Sequence, residues 1–270
     1  MDHSCWKDLA MRWKPKNAVA VVTGASSGIG RCLCGLLVQR GATVIATARR
    51  SDRIESLAAS SDRVIPVVGD VTDGDVRQQI VDAACAVNGG AVDLLVNNAG
   101  IGAIGPFADA SPERLRQVME VNFFAPVELT RLLLPQLEQG RNAVICNISS
   151  VLGHRAVPNK SEYCASKFAL HGWSDSLRAE IASQGIGVTL VSPSTTKSEF
   201  FDALVETEPD QDSSSIGSWT PERVARTTLA AIRARKSEVI LSMGGKALVY
   251  GDRISPPLMN AILAKAIRAN

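Results

Sequence analysis

Tyr163 and Lys167 stand four residues apart in Tyr163-Cys164-Ala165-Ser166-Lys167. On a helix that spacing puts both side chains on one face. An ammonium group beside a phenol lowers a pKa that is otherwise about 10. A phenol adjusted in this way can give or take a proton at a carbonyl or alcohol oxygen. An isolated Tyr-x-x-x-Lys is also common as a plain surface pair, so the chemistry requires company. It has some in the apolar run AVICNISS, which ends in Ser149 and Ser150. Serine hydroxyls at a strand end can hold a substrate oxygen by hydrogen bond.

A second group could hold an anion. In VVTGASSGIGR, Gly24, Gly28 and Gly30 fall within seven residues, with Ala25, Ser26, Ser27 and Ile29 between them. An apolar strand here becomes a helix. Backbone amides at a helix start, with the positive end of the helix dipole behind them, can face a pyrophosphate. Glycine lets the backbone come close and take φ above zero. The spacing is G-x-x-x-G-x-G, not the common G-x-G-x-x-G, and a purely structural turn is the competing reading. The end of the next strand bears on that choice. A dinucleotide site would place a ribose-binding carboxylate roughly 20 residues on, but Ala48, Arg49 and Arg50 stand there. Arg49 is expected to pair with a 2′-phosphate, which favours NADP(H) over NAD(H). A solvated edge is the plainer alternative. Asn97-Asn98-Ala99-Gly100 marks a third strand end. Its asparagines can hold a tight turn, and Ala99 and Gly100 leave room for a flat ring.

These residues need elements to position them. Apolar, β-branched runs at 18–23, 43–48, 64–68, 92–97, 142–148, 187–192 and 238–241 read as strands. Helical patterns at 28–40, 73–87, 111–137, 162–183 and 220–235 alternate with them, with Ser111 and Thr220 as N-caps before Pro112 and Pro221. Strands that are apolar throughout are buried on both faces, as in a parallel sheet. Strand–helix alternation along the chain predicts one doubly wound α/β domain over 18–242. An extension at 1–17, a substrate loop at 194–218 and a C-terminal helical extension at 243–270 complete the expected organisation. The acidic, serine-rich stretch 205–218 reads equally as a surface loop or a lid.

Composition sets outer limits. The 270 residues are 46% hydrophobic with a net charge of +2, which offers no electrostatic case for a nucleic-acid partner. Six cysteines are scattered without a CxxC pair, and three histidines are dispersed. This suits reduced thiols in a cytoplasmic protein with no metal. The N-terminus lacks an apolar signal region. The final helix carries an apolar stripe at Leu258 and Ile262. Packing on its own domain or a second subunit is the first expectation, peripheral membrane contact the second.

Thr23-Gly24-x-x-x-Gly28-Ile29-Gly30, Asn97-Asn98-Ala99-Gly100, Asn122, Ser150 and Tyr163-x-x-x-Lys167 together resemble the short-chain dehydrogenase/reductase family, in its order and spacing over about 18–242. The resemblance implies a Rossmann-type parallel sheet ordered 3-2-1-4-5-6-7. It implies Tyr163 as general acid or base and Lys167 as its pKa partner and a ligand of the nicotinamide ribose. It further implies Ser150, rather than Ser149, as the group that orients the reacting oxygen, and Asn122 as holder of a relay water. Asp70 and Val71 would meet the adenine. Pro193, Ser194, Thr195 and Thr196 would reach the carboxamide, with Ser194 replacing the family's usual glycine. The closest branch in pattern is the NADP-dependent one that includes hydroxysteroid and lipid-alcohol dehydrogenases. A fairly hydrophobic carbonyl or secondary alcohol is then the expected substrate, lined by 152–158 and 200–216, including Ala156, Val157, Phe200, Phe201 and Leu204. A homodimer or homotetramer through the helices at 111–137 and 162–183 is implied too. The alternatives are a dinucleotide-binding sensor without turnover and a dehydratase or epimerase on the same fold.

Overall fold

The computed structural model describes residues 12–196, 199–200, 204–207 and 218–268. Seven strands form one sheet: β1 (Val19–Thr23), β2 (Thr43–Ala48), β3 (Val64–Val68), β4 (Leu94–Asn97), β5 (Val144–Ile148), β6 (Gly187–Ser192) and β7 (Glu238–Ile240). Their order is β3-β2-β1-β4-β5-β6-β7, and every pairing is parallel. The helices are α1 (Gly28–Val38), α2 (Ser51–Ala59), α3 (Gly74–Cys85), α4 (Pro112–Met119), α5 (Ala125–Glu138), α6 (Ser161–Glu180), α7 (Pro221–Arg233), α8 (Met243–Ile254) and α9 (Pro256–Arg268).

The unbroken apolar strands follow from period-two geometry between two helical layers. Ala20, Val22, Leu94 and Val96 face Leu33 and Leu37 of α1 and Leu229 and Ile232 of α7. Val19, Val21, Leu95 and Ile145 face Ile80 of α3 and Leu129, Leu133 and Leu137 of α5. Both parities are therefore core. Pro66, which cannot donate to a ladder, sits in the edge strand β3, where that costs least.

Three departures from the sequence reading have clear causes. The expected single helix over 111–137 opens into a π turn at Glu120–Phe124 between α4 and α5, where Ala125 N–H reaches back five residues to Glu120 O. Pro126 has no N–H to give the carbonyl of Asn122, so the ladder widens there. Trp13, expected in an outlying extension, is core. It is 1% exposed, and its Nε1 donates to the Asp93 carbonyl. The C-terminal extension also joins the body, because Val249 of α8 packs with Val151 and Ile240. Helix α2 was not anticipated, since it buries only Ile54 and Leu57, too few apolar positions to set a period; α8 and α9 fall within the expected C-terminal helical extension. The caps behave as expected: the hydroxyls of Ser111 and Thr220 accept from Arg114 and Arg223 amides. Leu258 and Ile262 of α9 stay exposed. Among the described residues, no helix is long and apolar enough to cross a membrane.

Candidate active site

The carboxyl ends of the strands frame a cleft of about 900 Å³. The three glycines at and just beneath its floor play two distinct parts. Gly24 and Gly28 have φ of +65° and +53°, where a side chain is strained. Gly30 is needed for space, because a Cβ there would overlap the carbonyl oxygen of Gly24 and the amide of Asn98. The same close approach locks two strand ends together. Asn98 Nδ2 donates to the carbonyls of Thr23 and Gly24 at 2.9 and 3.2 Å. Thr23 Oγ1 accepts from the amides of Asn98 and Ala99 at 3.0 Å each. Thr23 was not singled out as functional in the sequence, yet it clasps β1 to the loop after β4.

Ser26, Ser27, Gly28, Ile29, Arg49, Asp70, Val71, Asn98, Ala99, Gly100, Ser150, Tyr163, Lys167, Pro193, Ser194, Thr195 and Thr196 all line the cleft with Gly24. Two expected residues do not. Gly30 lies beneath the floor as described. Asn122 is 1% exposed at the π turn, where its side chain accepts from Ile101 N–H and donates to Ile101 O and Ser166 Oγ, all near 3 Å. It therefore braces the loop after β4 against α6. Ser194 escapes left-handed backbone geometry, so a serine fits where the family's glycine was expected.

The positive end differs in detail from expectation. Arg49 lies outward, 3.7 Å from Asp70. Arg50 turns inward, donating to Ser26 Oγ and Ser27 Oγ. Arg50 and Arg53 together grip the carboxylate of Glu199 at 2.7 and 2.6 Å, so an anion bound by two guanidinium groups already stands at the cleft's mouth.

At the opposite end, Tyr163 faces the cleft and Lys167 is buried beside it. Lys167 Nζ donates to the Ile148 carbonyl at 3.1 Å and lies 5.7 Å from the centre of the Tyr163 ring. Burial pushes the Tyr163 phenol up to about 12, against a smaller lowering by a hydrogen bond with Ser150. Burial likewise pushes the Lys167 ammonium down to about 8. The sequence argument had the lysine lowering the phenol. Here desolvation wins, because Nζ is spent on a carbonyl instead of on Oη. Behind Tyr163, Arg114 of α4 and Glu162 of α6 form a fully buried ion pair at 2.7 Å. Burial raises the Glu162 carboxyl, but hydrogen bonds from Arg114, its own backbone amide and Ser161, together with the Arg114 charge, hold it below its ordinary value.

The expected substrate lining is present in part. Leu152, Val157, Phe200 and Leu204 face the cleft, Ala156 does not, and Phe201 lies outside the described residues. Ile101, Ala103, Ile104 and Leu248 were missed. Leu248 comes from α8, so its role depends on chain folding rather than on any local motif. The loop after β6 is closed at its base by a bridge between Thr196 and Trp219. Val205 within it donates to the Gly102 carbonyl.

Comparison with known proteins supplies a relation. A family model described as short chain dehydrogenase matches residues 18–209. Dehydrogenase/reductase SDR family member 7B of Bos taurus is 34% identical over 96% of this chain and 84% of its own. An uncharacterized oxidoreductase, YxnA of Bacillus subtilis, is 30% identical over 93% of this chain and 73% of its own. Among solved structures, a short chain dehydrogenase from Burkholderia cenocepacia in complex with NADP superposes with a TM-score of 0.79 at 28% identity, covering 93% of this chain and 98% of that one. A short chain dehydrogenase/reductase from Burkholderia phymatum in complex with NAD gives 0.79 at 27% identity, covering 88% and 95%.

Proposed function

The chain belongs to the short-chain dehydrogenase family, and on that premise we propose that it is an NADP(H)-dependent oxidoreductase acting on a fairly hydrophobic carbonyl or secondary alcohol. The observation that carries the reading is one cleft with a glycine cradle at one end and Ser150, Tyr163 and Lys167 at the other. The cradle fits a dinucleotide: Gly24, Gly28 and Gly30 bring backbone so close that side chains are excluded. Ser26, Ser27, Gly28 and Ile29 would hold the diphosphate at the start of α1. Asp70 and Val71 would meet the adenine, Asn98, Ala99 and Gly100 the ribose and ring, and the 193–196 backbone the carboxamide. Preference for the 2′-phosphorylated form is supported by Arg49, Arg50 and Arg53, with Arg50 now the inner partner. That Arg50 and Arg53 already hold a carboxylate supports their suitability for a phosphate.

The nicotinamide supplies or accepts the hydride. Ser150 donates a hydrogen bond to the substrate oxygen and orients it. Tyr163 keeps its proton at neutral pH, as any phenol of ordinary pKa does, and burial raises its pKa further. That is the state required to protonate a carbonyl oxygen as it is reduced. Lys167 binds the ribose and presents a positive charge under the phenol. Asn122 positions the loop after β4, its side-chain amide spent on Ile101 and Ser166. Phe200, Leu204, Leu152 and Leu248 give the apolar wall.

Leu115, Phe124, Leu132 and Phe168, on α4, the π turn, α5 and α6, are large apolar residues left exposed. This supports a homodimer through that face, or a homotetramer built on it; the cytoplasm is the proposed location. The test is NADPH consumption over a panel of apolar ketones and aldehydes with wild type and Tyr163→Phe. Turnover by wild type, lost in the variant with NADPH binding intact, is expected. Tight NADPH binding with no turnover on any substrate would favour a sensor. Product free of label from deuterated NADPH would favour a dehydratase or epimerase.

A further inference from the structure

The two elements that carry Ser150 and Lys167 carry a second cluster farther along. His154 lies four residues beyond Ser150, just past the short turn 151–153, and His171 lies four beyond Lys167 on α6. Glu238 opens β7 beside them. One nitrogen or carboxylate oxygen from each of the three falls within 4.8 Å of the others. The two imidazoles meet edge-on with centroids 4.4 Å apart. Nε2 of His154 is 2.7 Å from Glu238 Oε1 and 3.1 Å from Ser192 Oγ. One ring N–H cannot serve both directions, and Oε1 of Glu238 is shut from solvent without a well-directed donor. Asp175 adjoins the group, its Oδ2 3.4 Å from His171 Nε2. Arg178 holds the other oxygen of Asp175 at 2.6 Å.

We propose that His154, His171 and Glu238 bind a divalent transition-metal ion, Zn²⁺ by donor type, with Asp175 or a water in the fourth position. Two imidazoles and a carboxylate are borderline nitrogen and oxygen donors. They suit zinc and its first-row neighbours rather than calcium or magnesium, which take mostly oxygen. A tetrahedral ion with bonds of roughly 2.0–2.2 Å sets its donors a little over 3 Å apart. The 2.7 Å His154–Glu238 contact must therefore relax, and the donors, up to 4.8 Å apart, must close by up to about 1.4 Å, within the reach of side-chain rotation. The ion replaces the His154 ring proton, which goes to solvent, and takes over from the imidazole as the cationic partner of Glu238 Oε1. His154 is buried, whereas His171, Glu238 and especially Asp175 are partly exposed, so the ion has an entry route. Once bound, it ties the turn after β5, the catalytic helix and β7 into one unit directly behind Tyr163 and Lys167.

The test uses the full chain in a Cys85→Ser background, since Cys85 is an exposed thiol that competes for zinc. Chelator-treated protein is titrated with Zn²⁺ by calorimetry and with Co²⁺ by visible absorption, and its melting temperature is read with and without Zn²⁺. One equivalent is expected, with nitrogen and oxygen ligation in the cobalt spectrum and a raised melting temperature. His171→Gln and Glu238→Gln, both at partly exposed positions, should each weaken binding by more than about tenfold while retaining NADPH binding as proof of fold. Absence of stoichiometric binding, or binding that both variants leave unchanged, would overturn the site and leave a hydrogen-bonded cluster.

Discussion

At the end of the cleft near β1 and β2, the charged groups stand in water: Arg49, Arg50, Arg53 and Glu199 have side chains between 37% and 62% exposed. At the other end, Lys167, Arg114 and Glu162 are all under 5% exposed, and protein surrounds the Tyr163 phenol. The same kinds of charge therefore do different work. In water, ion pairs are screened and contribute little, on the order of 0–1 kcal/mol, so the outer arginines can exchange one anion for another. In the interior a charge is held only with its partners, and losing one partner costs several kcal/mol. Selection of a ligand suits the first regime; fixing protons in place suits the second.

Measurements on single variants break or sharpen this contrast. The largest effect belongs to Tyr163→Phe, which should cut kcat by about 10²–10⁴-fold with cofactor affinity kept; near-normal turnover would remove Tyr163 from the chemistry. Arg114→Met leaves Glu162 as an unpaired buried charge and should cost about 3–5 kcal/mol in urea unfolding; a loss below about 1 kcal/mol would mean water reaches the pair. Lys167→Met probes a pH dependence. The folded state disfavours the charged lysine, whose pKa falls from 10.5 to about 8. The unfolded chain thus binds more protons between those values, and wild-type stability should rise with pH across that window. Below pH 8 the methionine variant should be the more stable by up to about 3 kcal/mol, the gap closing toward pH 10. The Tyr163 shift acts only above 10, in the opposite sense. A pH-independent gap would show that the lysine is not desolvated.

At the exposed end, Arg50→Ala should raise KM for NADPH by about 10–100-fold, the worth of a charged hydrogen bond, with little change for NADH. Arg49→Ala should do less, because Arg49 points toward Asp70. Equal effects of Arg50→Ala on both nucleotides would end its assignment to the 2′-phosphate. Glu199→Gln should change unfolding by under about 1 kcal/mol. A larger loss would show that the outer ion pairs are structural after all.

Much of this contrast was legible in residue order. Short-range spacing reports on local geometry, so the glycine turn, the Tyr163–Lys167 helix face and the strand alternation were all readable, and the sheet order followed from the resemblance. What stayed hidden depends on atoms far apart in the chain. Which arginine turns inward is decided by Ser26, Ser27 and Glu199. The phenol's pKa is decided by how much protein surrounds it, not by the lysine four residues on. Trp13 and Leu248 enter the core and the cleft from segments that carry no motif. The π turn had one visible trace, Pro126 four residues after Asn122.

The clasp between Thr23 and Asn98 has a dynamic consequence. It laces the glycine turn after β1 to the end of β4, so neither can open alone. Amide exchange at Asn98, Ala99 and Ala25 should therefore be slow and matched in the protein without nucleotide, reporting one cooperative opening. A nucleotide would meet a floor already set.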